Sequence, residues 1–209
     1  IGSMKSLICF LFVAIFICVV YAQDSNGIPA NVEIPYDNLP YCFNITGVNY
    51  EVCYGFFGDV IAFSNTLIYS KAVWMGIGYH AAGSTYSGMN QADFSVAEFD
   101  ATTHLINTVS DRFCNCTSET EPPLDTEQGG EDNILEFGGS QTQLSDGTWK
   151  TRVYFARYRD TGDSLDHQLA TDPNQAQPFI WAHGTSNPFG YHQSNKGEFT
   201  MNLLDPYNY

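Results

Sequence analysis

The chain has 209 residues, a formal net charge of −15 at pH 7 and a hydrophobic fraction of 44%. A surface this acidic repels nucleic-acid backbones and anionic lipid headgroups, so we exclude both as binding partners. Aromatic residues make up 15% of the chain, which excludes a disordered acidic tail and favours one packed domain.

The N-terminal segment Met4–Ala22 has the pattern of a secretory signal peptide. Lys5 precedes an apolar run, Leu7–Val20, and the small residue Ala22 precedes a polar stretch. We predict cleavage after Ala22, with residues 1–3 as an upstream remnant. The run is short for a membrane span, and a retained anchor is the alternative. The sequence therefore predicts a secreted, extracellular protein without a membrane span in its mature form.

Residues 23–40 contain three prolines and predict an extended lead-in. Beyond them, short runs of β-forming residues alternate with turn residues, and no stretch shows helical periodicity. The predicted strands are two within 41–54, then 60–63 and 66–69 on either side of a Ser64-Asn65 turn, 74–79, 93–99, 104–109, 134–137, 149–158, 179–182 and 197–204. This pattern favours a single all-β domain over 41–209, a sandwich or a barrel.

The stretch Trp74–Tyr79 alternates between two kinds of residue. Trp74 and the two glycines at 76 and 78 fall on one side of the predicted strand, and the odd-numbered residues fall on the other. A loop rich in glycine, serine and threonine follows and carries Met89. In the predicted strand 149–158, the same alternation gives one buried face and one solvated face.

Residues 111–132 differ in composition from the predicted strands around them. They contain two cysteines, two Pro-Pro or Gly-Gly pairs and many acidic residues. We predict a surface insertion that disulfide chemistry holds in place. Its role stays open.

Four cysteines remain after the signal segment, namely Cys42, Cys53, Cys114 and Cys116. An even set in an exported chain predicts disulfides, with zinc binding as the alternative. A Cys114–Cys116 bridge would close a very tight ring. We therefore expect at least one bridge from Cys42 or Cys53 to the Cys114 region, with the pairing left open.

Two Asn-x-Thr sequons begin at Asn44 and Asn115. They predict N-glycosylation at both asparagines, which must then lie on the surface.

Motifs of hydrolytic enzymes are missing from the sequence, since it has neither a Gly-x-Ser-x-Gly elbow nor a His-Glu-x-x-His pair. The carboxylates of Asp160, Asp163 and Asp166 could act as acid and base. Their spacing is more typical of a loop that binds its own backbone, or of a minor cation site. The soft and imidazole donors that remain are Met89, His80, His104, His167, His183 and His192.

Five short blocks, in order along the chain, resemble the DOMON family. They are Trp-Met-Gly-Ile-Gly-Tyr at 74–79, Met-Asn-Gln-Ala-Asp at 89–93, Phe-Ala-Arg at 155–157 with Thr161-Gly162-Asp163 and Asp166, Ile-Trp-Ala-His-Gly at 180–184, and Tyr191-His192 with Lys196-Gly197. The resemblance spans Cys42 to Leu204. It implies a two-sheet antiparallel β-sandwich of immunoglobulin-like type that holds a ligand at one end.

Redox members of that family, of the cellobiose dehydrogenase cytochrome type, bind haem b non-covalently through one methionine and one histidine. The resemblance assigns these roles to Met89, which precedes the Ala-Asp pair, and to His192. The usual Arg-Gly of the family is Lys196-Gly197 here. The residues expected to wall the haem are Trp74, Gly76, Tyr79, Trp181 and Tyr191.

A Met/His pair fills both axial positions of a haem iron, and the thioether favours the ferrous state. The resemblance therefore implies a secreted b-type cytochrome for extracellular electron transfer rather than a catalyst. Its partner would be a redox protein or a small-molecule electron carrier. The alternative is a non-redox module that binds carbohydrate or protein, or a structural subunit that self-assembles.

Overall fold

The computed structural model describes residues 7–12, 15–20, 33–116, 121–169, 172 and 174–203. The chain divides into two units, residues 1–34 and 35–209. In the first unit, β1 (Leu7–Phe12) and β2 (Ile15–Val20) pair as an antiparallel hairpin. The predicted cleavage point after Ala22 and most of the lead-in lie outside the described residues. Within the described ranges, no helix is long and apolar enough to cross a membrane.

The described part of the second unit contains ten antiparallel strands in two sheets and one short helix. The elements are β3 (Tyr41–Ile45), β4 (Tyr50–Phe57), β5 (Val60–Tyr69), β6 (Met75–Tyr79), β7 (Ala92–Phe99), β8 (Ile106–Cys114), α1 (Asp125–Gln128), β9 (Ile134–Gln143), β10 (Trp149–Tyr158), β11 (Ala176–His183) and β12 (Lys196–Asn202). The first sheet has the order β3-β4-β5-β10-β9, and the second has the order β12-β11-β6-β7-β8. The predicted two-sheet β-sandwich is confirmed.

The main hydrophobic core lies between the two sheets. Phe63 of the first sheet stacks on Phe155 with ring centroids 5.3 Å apart, and it meets Phe179 of the second sheet at 6.4 Å. Each of these side chains is at most 1% exposed. Burial of a phenylalanine of this size stabilises the fold by about 1.5–3 kcal/mol.

The second sheet is also buried on its outer face. A separate apolar cluster forms there around Trp74, Phe94, Val96 and Ile180. Met75, Ile77 and Tyr79 point instead into the core between the sheets. The predicted alternation along 74–79 is therefore confirmed, and it gives β6 two apolar faces of different composition.

The predicted turn at Ser64-Asn65 is wrong, because β5 runs through it without a break. Both residues are buried and pair on both sides, with β4 and with β10. The Ser64 hydroxyl accepts a hydrogen bond from Arg152 Nε at 3.3 Å. Two adjacent polar residues in a central strand have the sequence pattern of a turn. The strands that pair with them cannot be identified from the local sequence.

The predicted surface insertion at 111–132 begins too early. Residues 111–114 continue β8, where Asp111 faces Ser95 of β7 and is 2% exposed. The described residues of the segment after β8 include the one-turn helix α1. The strand was missed because its charged residues are neutralised by partners elsewhere in the fold.

The predicted bridge between the Cys42 or Cys53 region and Cys114 is also wrong. Cys42 and Cys53 face each other across β3 and β4 and form a disulfide with Cα atoms 4.0 Å apart. Cys114 pairs with Cys116 at the end of β8. The two pairs lie in different sheets, so no cross-bridge forms, and no free thiolate among them is left for zinc.

Candidate functional site

A cavity of about 730 Å³ opens on the outer face of the second sheet. This volume lies in the range typical of small-molecule and cofactor sites. Its floor includes three glycines, Gly76 and Gly78 of β6 and Gly197 of β12, together with Phe94 and Ile180. The glycines leave the floor flat, because no side chains rise from them.

Gly78 is needed for this floor. A Cβ atom at this position would lie 2.6 Å from the Phe94 ring and 2.8 Å from the carbonyl oxygen of Asp93. Both distances are below van der Waals contact, so any larger residue would push the Phe94 ring away or distort β7.

Met89 lies on the loop between β6 and β7 and lines the cavity. It is partly exposed and packs against the apolar cluster of the outer face. The loop reverses at Gly88 and Gln91, whose φ angles are 64° and 57°. Both turns bring the methionine over the end of β6.

Two histidines and one glutamate hold the Met89 loop. The His80 ring contacts the carbonyl oxygen of Gln91 through Nδ1 at 3.0 Å and that of Gly88 through Nε2 at 3.1 Å. His167 Nε2 donates to the same Gln91 carbonyl at 2.7 Å. Glu198 of β12 accepts from the Gly88 amide at 2.7 Å. The two carbonyls that flank Met89 are therefore fixed to the sandwich, and the thioether has a defined position.

His192 lines the same cavity from the segment between β11 and β12. It is 7% exposed, and its Nδ1 donates to the carbonyl oxygen of Gln193 at 2.8 Å. A carbonyl oxygen can only accept, so in the neutral imidazole Nδ1 carries the hydrogen and Nε2 has the lone pair. A backbone partner on one ring nitrogen is the usual arrangement for a histidine that binds metal through the other.

Phe189 closes one wall of the cavity. Its ring meets Trp74 edge-on at 4.7 Å, and the Arg112 guanidinium lies 4.6 Å from its centre. Arg112 also donates to the carbonyl oxygen of Pro122 at 2.7 Å, which draws the segment after β8 to the cavity. Sequence reasoning missed Phe189 and Pro122, because an apolar residue in a loop carries no periodic signal. It predicted the strand that contains Phe94 but did not assign this residue to the cavity.

Only some of the residues that were predicted to wall the haem line the cavity. Trp74 is 3% exposed and lines the cavity, and Tyr191, 64% exposed, stands at its mouth. Trp181 borders the cavity, although its indole packs edge-on against Tyr50 in the core. The assignment of Tyr79 is wrong, because its side chain lies in the core between the sheets. Strand alternation places it on the face of β6 opposite Gly78.

Two other candidate histidines do not line the cavity. His183 is buried against Tyr69, with ring centroids 4.4 Å apart, and burial lowers the pKa of its imidazole. His104 stacks on Trp149 at 4.5 Å. Both have structural roles.

Both sequon asparagines, Asn44 and Asn115, are exposed. Asn115 accepts a hydrogen bond from the Gln91 side chain at 2.7 Å. Glycosylation at these positions stays a prediction.

No family model and no curated protein matches the sequence of this chain. Among solved structures, the chain is similar to the cytochrome domain of cellobiose dehydrogenase from Myriococcum thermophilum. The TM-score is 0.47 and the sequence identity is 10%, over 79% of this chain and 89% of that chain. A likeness this distant carries no functional conclusion, which must come from the cavity itself.

Proposed function

We propose that this protein is a secreted b-type cytochrome of the DOMON kind. It holds haem b non-covalently in the outer-face cavity, between Met89 and His192, and serves extracellular electron transfer. The observation that carries the proposal is that a thioether and an imidazole, far apart in the sequence, line one apolar cavity of cofactor size.

The residues of the cavity fit this cofactor. The glycine floor can accept a flat macrocycle, and Trp74, Phe94 and Phe189 supply apolar surface around it. The hydrogen bond from Nδ1 of His192 leaves Nε2 for iron. When bound, haem b supplies one-electron chemistry.

The side chains of this chain would then set the behaviour of the site. Met89 and His192 would both hold the haem iron, which suits electron transfer rather than oxygen chemistry. The soft thioether of Met89 would raise the reduction potential. The aromatic walls would exclude water from all but the mouth. These properties suit a carrier of electrons better than a catalyst.

The mouth of the cavity is where a redox partner would approach. Tyr191 is 64% exposed there, and the chain as a whole carries a charge of −15. A basic partner protein or a small cationic carrier would be attracted at low ionic strength.

Addition of haemin to the haem-free protein tests the proposal. We expect one equivalent to bind and to give sharp reduced-state Soret and α bands, and we expect His192→Ala to abolish them. Met89→Leu should keep the packing but lose the thioether, and the spectrum should become that of a five-coordinate haem. His104→Ala and Met201→Leu, outside the cavity lining, are the matched controls. A protein that takes up no haemin would refute the proposal.

A second candidate function is that of a binding module for carbohydrate. It is favoured by the exposed Tyr191 at the mouth of an aromatic cavity, since sugars stack on such rings. Glycan binding to haem-free protein, lost in Tyr191→Ala and unchanged in Met89→Leu, would support this function over the redox one.

A further inference from the structure

A group of charged side chains is enclosed at one end of the sandwich interior. The Arg157 guanidinium of β10 is fully buried and lies 3.1 Å from Asp93, 3.5 Å from Asp111 and 2.7 Å from Asp166. It joins the first sheet to β7 and β8 of the second. We call these four residues the acidic cluster.

The acidic cluster contains three carboxyl groups and one guanidinium. Asp93 and Asp111 are at most 2% exposed, and the side chain of Asp166 is 3% exposed. Burial raises the pKa of Asp93, and it raises the pKa of Asp111 to about 8. One guanidinium faces three carboxyl groups in a site that excludes water, and without further positive charge burial favours their neutral forms.

Asp125, at the start of α1, gives independent evidence for a bound group near the acidic cluster. The residue is 0% exposed, and neither of its carboxylate oxygens has a hydrogen-bond partner within the described part of the chain. Burial raises its pKa to about 7, with further increases from Asp93, Asp166 and Asp163. A buried carboxylate without any partner is rare in native proteins and calls for a bound group.

Two more buried oxygens next to the acidic cluster lack a protein partner among the described residues. They are Oδ1 of Asp166 and Oδ1 of Asn133. Asp166 uses its other oxygen for Arg157 and for the Thr161 hydroxyl, the latter at 2.6 Å. The backbone N–H of Asn133 donates to Oδ2 of Asp111 at 3.0 Å, which places this residue beside the cluster.

The segment that carries Asp125 lies against the loop that carries Asp166. The point where a Cβ of Gly130 would sit is 3.3 Å from the Asp125 Cβ and 2.8 Å from Oδ2 of Asp163. The Glu131 amide donates to that same Asp163 oxygen at 2.6 Å. The loop from Asp160 to Asp166 otherwise binds its own backbone, as predicted.

We propose that this region is a structural site for a divalent cation of the calcium class. The carboxylates of Asp125 and Asp166 and the side-chain oxygen of Asn133 bind the ion beside the acidic cluster. The atoms available as ligands are oxygens of carboxylates and of a side-chain amide, which suits a hard cation. Zinc in structural sites prefers sulfur and nitrogen donors, and neither is offered here.

The ion would join three parts of the chain that each supply one of its ligands. These parts are the α1 segment, the 160–169 loop and the residue before β9. The same loop supplies His167, whose amide donates to Asp93 at 3.1 Å and whose ring holds the Gln91 carbonyl. Calcium would therefore also stiffen the support of the Met89 loop.

The test uses the full chain, dialysed against EGTA and free of haem, at pH 7.5. We expect about one calcium per chain by elemental analysis after re-addition. We also expect the melting temperature to rise by roughly 5–10 °C at a calcium concentration about 100 times Kd. Asp125→Asn should remove this rise. Asp132→Asn, an exposed acid in the same segment, should keep it.

Unchanged melting on addition of calcium to the wild type would overturn the proposal. It would also be overturned if calcium stabilised Asp125→Asn as much as the wild type. If Asp125→Asn does not fold, calcium stoichiometry and melting of the wild type alone decide the question. Because no step of the test involves haem, its result is independent of the proposed cytochrome function.

Discussion

The outer-face cavity and the acidic cluster lie on opposite faces of the second sheet and differ in almost every respect. The cavity is open, lined by apolar side chains, and offers one thioether and one imidazole. The acidic cluster is closed and contains only hard, charged groups. Soft or neutral donors in an apolar cavity suit the iron of a macrocycle, and enclosed carboxylates suit a small hard ion. One β-sheet can present two different chemistries, because successive residues of a strand point to opposite faces.

The largest expected effect is on the acidic cluster. Arg157→Met removes its guanidinium and leaves three buried carboxylates facing one another. We expect a loss of about 3–5 kcal/mol in the free energy of unfolding, measured by urea denaturation. Arg152→Met, on the same strand with a side chain that is 27% exposed, should cost about 1 kcal/mol or less. Equal losses for the two variants would contradict the account of the cluster.

The second prediction concerns pH, in EGTA. The pKa values of Asp111 and Asp125 are raised in the folded state, to about 8 and about 7, above the unfolded value of about 3.9. The folded state then binds more protons than the unfolded state between these values. Stability should therefore fall as pH rises from about 4 to 8, by a few kcal/mol. A stability that rises steadily over this interval would show that these carboxylates are ionised and paired.

The third prediction concerns the floor of the cavity. Gly78→Ala forces a Cβ against the Phe94 ring and the backbone of β7. We expect a cost of about 1–3 kcal/mol in stability and weaker uptake of haemin in a spectroscopic titration. Gly190→Ala is the control, since it also lines the cavity but its Cβ would meet no atom within 4 Å. Similar haemin affinities for the two variants would mean that the floor is not a contact surface.

The smallest expected effect is on the Met89 loop. His80→Gln can keep at most part of the bridge to the Gly88 and Gln91 carbonyls. We expect a loss of about 1 kcal/mol in stability and a mixture of six- and five-coordinate haem. The measurement is the fraction of reduced protein that binds carbon monoxide rapidly. His104→Gln should leave that fraction at the wild-type level.

The sequence predicted the parts of the fold that depend on local periodicity. The two faces of Trp74–Tyr79 follow from alternation, and so does the buried face of β10. Alternation also places Tyr79 on the core face of β6, although the family resemblance had assigned it to the wall of the cavity. The resemblance placed Met89 and His192 as a pair, and the structure brings both to one cavity. Their role as ligands stays a proposal.

The sequence did not predict features that depend on partners distant in the chain. A charged residue such as Asp111 is expected on the surface. It is buried here because Arg157 of the other sheet lies beside it. Ser64 and Asn65 have the sequence pattern of a turn, but both neighbouring strands pair with them and keep them in β5. The cysteine pairing depends on which strands are adjacent, and the spacing of the cysteines alone does not determine it. Asp125 was missed because nothing in its local sequence indicates burial.

The absorption spectrum of the reduced protein with haemin, recorded with and without carbon monoxide, tests the central claim most directly. We predict a six-coordinate haem in the wild type that binds carbon monoxide slowly, and a five-coordinate haem in Met89→Leu that binds it at once. His192→Ala should not give the reduced-state Soret and α bands. A wild-type protein that remains colourless, or a spectrum that neither substitution changes, would contradict the account.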